Sequence, residues 1–382
     1  MKTNRVFLVL IIITLIFSNV IFSQENKKVV EKKPLLNIAI LLDTSNSMDG
    51  LIHQAKTQLW KIVNELATTK RNGQVPVLKV ALYEYGKSTL SPREGYLRMV
   101  IGLTSDLDSV SEKLFALKTR GGSEYCGWVI QSALEELGWS KSHDDFKAIF
   151  IAGNEPFTQG RVHYTMACKQ AVAKGVIINT IHCGPYQTGV YGKWKHAAEL
   201  ADGTYMNIDQ DVKEVAIKAP QDKKIMKLNS QLNTTYIPYG RRGFESKTRQ
   251  LKQDANAKKS SYNSSLQRAV SKSTVHYRNT SWDLVDAVMQ GKVKIEDIKK
   301  EDLPKNLQKM TLEQRKVFIK KQYEKRKKIK ESMQKLNSDR KKYVKKKREK
   351  EKAAGNKMLE SAIINTLHKQ LKSKNFKVGE KK

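Results

Sequence analysis

The stretch NIAILLDTSNSMDG, residues 37–50, runs from a row of apolar side chains straight into a patch of side-chain oxygens. The apolar row begins at Leu35, and so continuous a run is what a strand buried on both faces of a parallel sheet requires. Asp43, Ser45 and Ser47 then stand at alternate positions, with Asp49 two further on. Directly after them, Leu51, Ile52, Ala55, Leu59, Ile62, Val63 and Leu66 recur on one face of a helical pattern. A buried strand, an oxygen-rich turn and an amphipathic helix together open a doubly wound α/β sheet. Such sheets gather their ligands at the carboxyl ends of the strands.

The same alternation continues to about Ala219. VLKVALYEYG, YLRMVIGLT, KAIFIAG, VIINTIHCG and GTYMNID read as strands, and DLDSVSEKLFALK, YCGWVIQSALEEL, VHYTMACKQAVAKG and KWKHAAELADG as helices. Six strands interleaved with helices predict a mainly parallel six-stranded sheet covered on both faces. Hard divalent cations take oxygen ligands and keep some of their water. An aspartate with two serine hydroxyls leaves such a cation short of negative charge, ready to grasp a carboxylate from outside.

At this point the chain resembles the von Willebrand factor type A domain, whose metal-ion-dependent adhesion site is built on an Asp-x-Ser-x-Ser motif. The resemblance covers residues 35–219. TRGGSEYCGWVIQSAL (119–134) is similar to the family's Gly-Gly-Thr loop and following helix, with Ser123 in the threonine's place, and ELADGTYMNID (199–209) is similar to its last helix–strand unit. The resemblance implies Asp43, Ser45, Ser47 and Ser123 as ligands of Mg²⁺, or of Mn²⁺ or Ca²⁺, with Asp43 acting through water. It also implies a protein partner that offers an exposed carboxylate. One element departs from the family pattern. FIAGNEPF (150–157) puts Gly153 where the family carries an aspartate, so Asn154 or Glu155 would have to reach the metal, with Glu124 also near.

The ends of the chain differ in character. Lys2 and Arg5 precede an apolar stretch from Val6 to Phe17, and a small residue, Ser23, follows it. This predicts a signal peptide over residues 1–23, a linker over 24–34, and a periplasmic or cell-surface destination. The alternative is an anchor retained over Val6–Phe22. The whole chain carries a net charge of +33, yet residues 221–382 hold 45 Lys and Arg against 17 Asp and Glu, and residues 1–220 only 26 against 21. A near-neutral domain followed by a basic region implies anionic partners for the latter.

Residues 220–304 read as loop and polar helix, and 305–382 as a basic, coiled-coil-like helical tail. There TLEQ (311–314) offers a capping box, and Ile329, Met333, Leu336 and Tyr343 form a broken heptad stripe. Lys341, Lys342, Lys345, Lys346 and Lys347 are the densest cations, suited to anionic lipid or glycan; no physiological nucleic-acid partner is expected. Tyr236, Tyr239 and Phe244 are expected to pack against the A-type domain.

Three cysteines are too few for a disulfide scaffold; Cys126 with Cys183 is the pair that would lie at one strand-end face. No P-loop, dinucleotide fingerprint or activated thiol signature occurs, so the expectation is a binding protein and not an enzyme. If the metal is absent, the alternative is an envelope-associated structural protein whose Lys-rich helices do the binding.

Overall fold

The computed structural model describes residues 33–208, 217–351 and 359–378. The expected signal peptide or anchor therefore lies outside the described residues. Among the described residues no helix is long and apolar enough to cross a membrane.

β1 (Leu35–Asp43) lies at the centre of a six-stranded sheet, with β3 (Val77–Tyr85) and β5 (Phe146–Gly153) on either side, both parallel to it. β2 (Thr69–Lys70) stands apart from this sheet. β4 (Leu97–Thr104) closes one edge antiparallel to β3, while β6 (Ile177–Cys183) and β7 (Tyr205–Ile208) extend the other edge in parallel. The order β4-β3-β1-β5-β6-β7 reverses between β1 and β5, so the carboxyl end of β1 sits at the switch point. Along β1, Leu36, Ile38 and Leu42 face one apolar layer, and Ala39 and Leu41 the other. This explains why the strand reads as continuously apolar.

The first layer is covered by α1 (Asp49–Leu66) and α2 (Leu107–Ala116), through Ile52, Leu59, Trp60, Val63 and Val110. The second is covered by α3 (Cys126–Glu136), α4 (Tyr164–Ala173), and the short α5 (Tyr186–Tyr191) and α6 (Trp194–Leu200). The expected doubly wound, mainly parallel sheet is the observed one.

The remaining helices are α7 (Asp222–Asn233), α8 (Gly243–Ser260), α9 (Tyr262–Lys272), α10 (Leu284–Met289), α11 (Lys305–Gln308), α12 (Leu312–Glu351) and α13 (Leu359–Ser373). LNSQLN, inside the stretch expected to be loop and polar helix, is the second half of α7, where Leu232 is buried. Thr311 and Gln314 form the expected capping box, each backbone N–H donating to the other's side chain at 2.9 and 3.3 Å.

Pro34–Lys382 is one unit and not a domain with a free tail. α12 buries Ile329 and Met333 against Ile225, Leu232 and Leu266, so its apolar stripe is spent within the chain. Tyr236 packs here too, against Trp282 and under the Arg326 guanidinium, 4.2 Å from its ring centre, while Phe244 is exposed. The expected packing of this aromatic segment on the A-type domain is thus corrected: its partner is α12. α13 returns to the sheet, where Ile363, Leu367, Leu371 and Phe376 join the first apolar layer. β8 (Lys377–Val378) pairs antiparallel with β2. Asn179 on β6 and Gln370 on α13 exchange amide hydrogen bonds of 3.1 and 2.8 Å in the interior.

Candidate metal centre

Asp43 is the last residue of β1 and is completely buried. Its Oδ1 accepts the Ser45 N–H at 2.7 Å, a local turn that draws the Ser45 hydroxyl toward the same carboxylate. The turn is fixed from two sides. Thr44 donates its N–H to the Tyr85 carbonyl at 2.8 Å, and Arg120 donates its N–H to the Thr44 carbonyl at 2.8 Å. The second bond carries the 117–125 loop over the end of β1. Ser88 N–H donates to the Gly121 carbonyl at 2.6 Å and ties that loop to the segment after β3. Glu124 is thereby buried to 7 % exposure, and the Ser45 hydroxyl bonds it as well as Asp43.

Asp43 and Glu124 therefore come together beside Gly86, and the Glu155 charge acts on both. Burial, with the Glu155 charge adding to it, pushes the Asp43 carboxyl up to about 7 against the pull of the Ser45 hydrogen bonds. Burial and then the charges of Asp43 and Glu155 push Glu124 up to about 7. Asp43 Oδ2 is buried without a hydrogen-bond partner. An orphaned carboxylate oxygen costs about 1–3 kcal/mol, and more when charged. A cation would satisfy it and neutralise the crowding, so the residues fit a hard divalent ion.

Among the described residues, no group of three or more His, Cys, Asp or Glu side chains is placed to hold a metal by itself. A cation here depends on serine hydroxyls and water. α1 begins at Asp49 with Met48 in the cap position, and Met48 makes no side-chain cap bond.

Two glycines shape the centre. Gly86 has φ +77°, and a Cβ there would stand 2.6 Å from Asp43 Oδ1 and 2.9 Å from Glu124 Cγ. Only glycine gives both the left-handed turn and the room. At Gly153 a Cβ would stand 2.7 Å from the Tyr85 hydroxyl and 3.1 Å from Asp43 Oδ2. The Tyr85 hydroxyl donates to the Ala152 carbonyl at 2.9 Å and stands in the way of a side chain at position 153. The phenol beside Gly153 is a contact that the sequence alone did not disclose.

Asp43 and Ser45 meet, and Ser123 lies half-buried on the loop beside Glu124. Ser47 falls in the single turn Asn46–Met48; its side chain lies outside the described ones. Asn154 contributes backbone: its carbonyl faces His182 Nε2 at 3.2 Å, and its backbone hydrogen bond helps lower Asp43. The Glu155 side chain faces Gln159 Nε2 at 3.4 Å and acts on Asp43 and Glu124 through its charge. Glu124 is the more deeply placed carboxylate; its signal in the sequence was adjacency to the Ser123 loop.

The Cys126–Cys183 disulfide is not formed: all three cysteines are free and buried. Burial pushes the Cys168 thiol up to about 12 and the other two higher still, which leaves protonated, unreactive side chains that pack as small apolar groups. The five candidate lysines lie on α12 and are exposed, with Lys341 Nζ 2.8 Å from Glu65 Oε2.

The reversal of strand order at β1/β5, the single antiparallel edge strand and the Asp-x-Ser-x-Ser turn at the switch point give residues 35–208 the fold that the resemblance to von Willebrand factor type A domains implies. No family model matches the chain, and no curated protein does. Among solved structures, a conserved hypothetical protein, BatB, from Bacteroides thetaiotaomicron is 16% identical with a TM-score of 0.35, over 46% of this chain and 90% of that one. The SpRpn10 VWA domain is 17% identical with a TM-score of 0.35, over 46% and 88%. Proximal thread matrix protein 1 of the mussel byssus, with a zinc-occupied MIDAS motif, is 13% identical with a TM-score of 0.36, over 47% and 43%.

Proposed function

We propose that this is a binding protein that uses a divalent cation at the end of β1 to take an acidic group of a protein partner. Asp43, Ser45, Ser47 and Ser123 would hold the cation, and Glu124 would supply the negative charge that Gly153 does not. The cation, when bound, supplies a Lewis-acidic position for a carboxylate oxygen. The chain's own residues do the rest. The Thr44 and Arg120 backbone bonds fix the hydroxyl-bearing loops, and Gly86 lets Asp43 and Glu124 approach each other.

The observation that carries this proposal is the buried Asp43 Oδ2, unpartnered and crowded by Glu124 and Glu155. The pattern of residues 2–23 further supports a place outside the cytoplasm, periplasmic or at the cell surface, where adhesion-type binding acts.

Calorimetric titration of the full chain with Mn²⁺ tests the site. One equivalent should bind, binding should be lost in Asp43→Ala, and it should weaken about tenfold or more in Glu124→Gln. Absence of binding by the native chain would favour a metal-free scaffold, the alternative that the Tyr85 phenol beside Gly153 supports.

A further inference from the structure

We infer that the outer face of α12 is a docking surface for an anionic lipid bilayer, independent of the cation centre. The inference rests on how α12 sorts its cations. Arg326 and Arg340 point inward and are matched: Arg326 lies 2.6 Å from both Asp283 and Asp286, and Arg340 lies 2.8 Å from Asp222. All of these side chains are buried or nearly so. Six lysines point outward. Lys320, Lys327, Lys328, Lys335, Lys342 and Lys346 recur at steps of 7, 1, 7, 7 and 4, which places them within about 100° of helix circumference at 3.6 residues per turn. All six are exposed, and none makes an ion pair with another described residue. Glu324, Glu331 and Asp339 dilute the stripe, but from Arg340 to Lys347 there is no acid at all.

The chemistry selects the partner. The stripe is about 40 Å long at 1.5 Å per residue, straight-sided and built from lysine point charges. Single-stranded nucleic acid is gripped by aromatic platforms between cations, and Tyr323 and Tyr343 are turned half into the protein. Bidentate phosphate clamps use arginine, and Arg326 and Arg340 are already committed. A row of mobile ammonium groups on a rod suits a planar layer of anionic headgroups, to which each lysine adds attraction.

The test is sedimentation of the full chain with vesicles of 70% phosphatidylcholine and 30% phosphatidylglycerol, compared with pure phosphatidylcholine. Binding should appear on the anionic vesicles only and should fade with added salt. It should drop about a thousandfold in Lys328→Gln/Lys335→Gln/Lys342→Gln/Lys346→Gln, whose melting temperature should stay unchanged because these side chains are exposed. The Lys→Arg version of the same four sites should retain binding. No binding to anionic vesicles, undiminished binding by the glutamine variant, or displacement from vesicles by duplex DNA at equal charge concentration would overturn the inference.

Discussion

Gly153 and Tyr85 show how one contact decides the composition of the centre. A side chain at position 153 would meet the Tyr85 hydroxyl at 2.7 Å, so Gly153→Asp should lower the melting temperature by several degrees. The double variant Gly153→Asp/Tyr85→Phe removes the clashing oxygen. It should regain most of that loss and bind Mn²⁺ more tightly than the native chain, since an added carboxylate raises affinity. Melting curves and Mn²⁺ titrations of both variants check this. Equal destabilisation in the two would show that the phenol is not what excludes the aspartate.

Protonation gives a second handle at this scale. Asp43 and Glu124 ionise near 7 in the folded chain, well above their ordinary values of 3.8 and 4.5. Between those values and 7 the folded state holds more protons than the unfolded one, so metal-free stability from these groups falls as pH rises through that window and levels off above it. A cation needs the ionised forms, so its stabilisation grows across the same window. The Mn²⁺-induced shift in melting temperature should be larger at pH 8 than at pH 6, and Asp43→Asn should flatten the metal-free trend.

Among the elements, α13 is the informative one. The line Leu359, Ile363, Leu367 and Leu371 marks it as a helix from sequence, but nothing local says what it covers. In the fold it brings Ile363, Leu367 and Leu371, followed by Phe376, onto the first apolar layer beside β7. Four buried apolar side chains at about 1.5–3 kcal/mol each rival the whole stability of a domain. A chain ended after Glu351 should therefore lose cooperative unfolding, and an undiminished melting transition would contradict this placement of α13.

The strands of the sheet were legible because parallel strands at a sheet centre must be apolar on both sides. β2 and β8, two residues each, leave no such trace. α7 was obscured because LNSQLN is polar, even though Leu232 anchors it.

Across the whole molecule, the two halves are joined by buried charge. Arg268 on α9 is 1 % exposed; it reaches Asp108 on α2 at 2.8 Å and Asp254 on α8 at 2.6 Å, with its guanidinium 4.8 Å from the Trp60 ring centre. Tyr277 donates to the other Asp108 oxygen at 2.6 Å. In a sequence such residues count only toward net charge, and the basic half therefore looks like a solvated tail. Which arginines find buried carboxylates depends on packing between segments as far apart as Asp108 and Arg268, 160 residues, which periodicity cannot report.

Removing one partner leaves the other charge buried, so Asp108→Ala should cost about 3–5 kcal/mol in urea unfolding, whereas Asp108→Leu/Arg268→Met should recover much of it. A loss below about 1 kcal/mol for Asp108→Ala would mean that the halves are not coupled through this pair.

The most direct measurement is thermal unfolding of the full chain with and without millimolar Mg²⁺ or Mn²⁺, beside Asp43→Ala. An ion at a hundred times its dissociation constant adds about 2.7 kcal/mol, which raises the melting temperature by several degrees. A rise in the native chain that disappears in Asp43→Ala is the predicted result. The same melting temperature with and without metal in the native chain would contradict a cation centre at the end of β1.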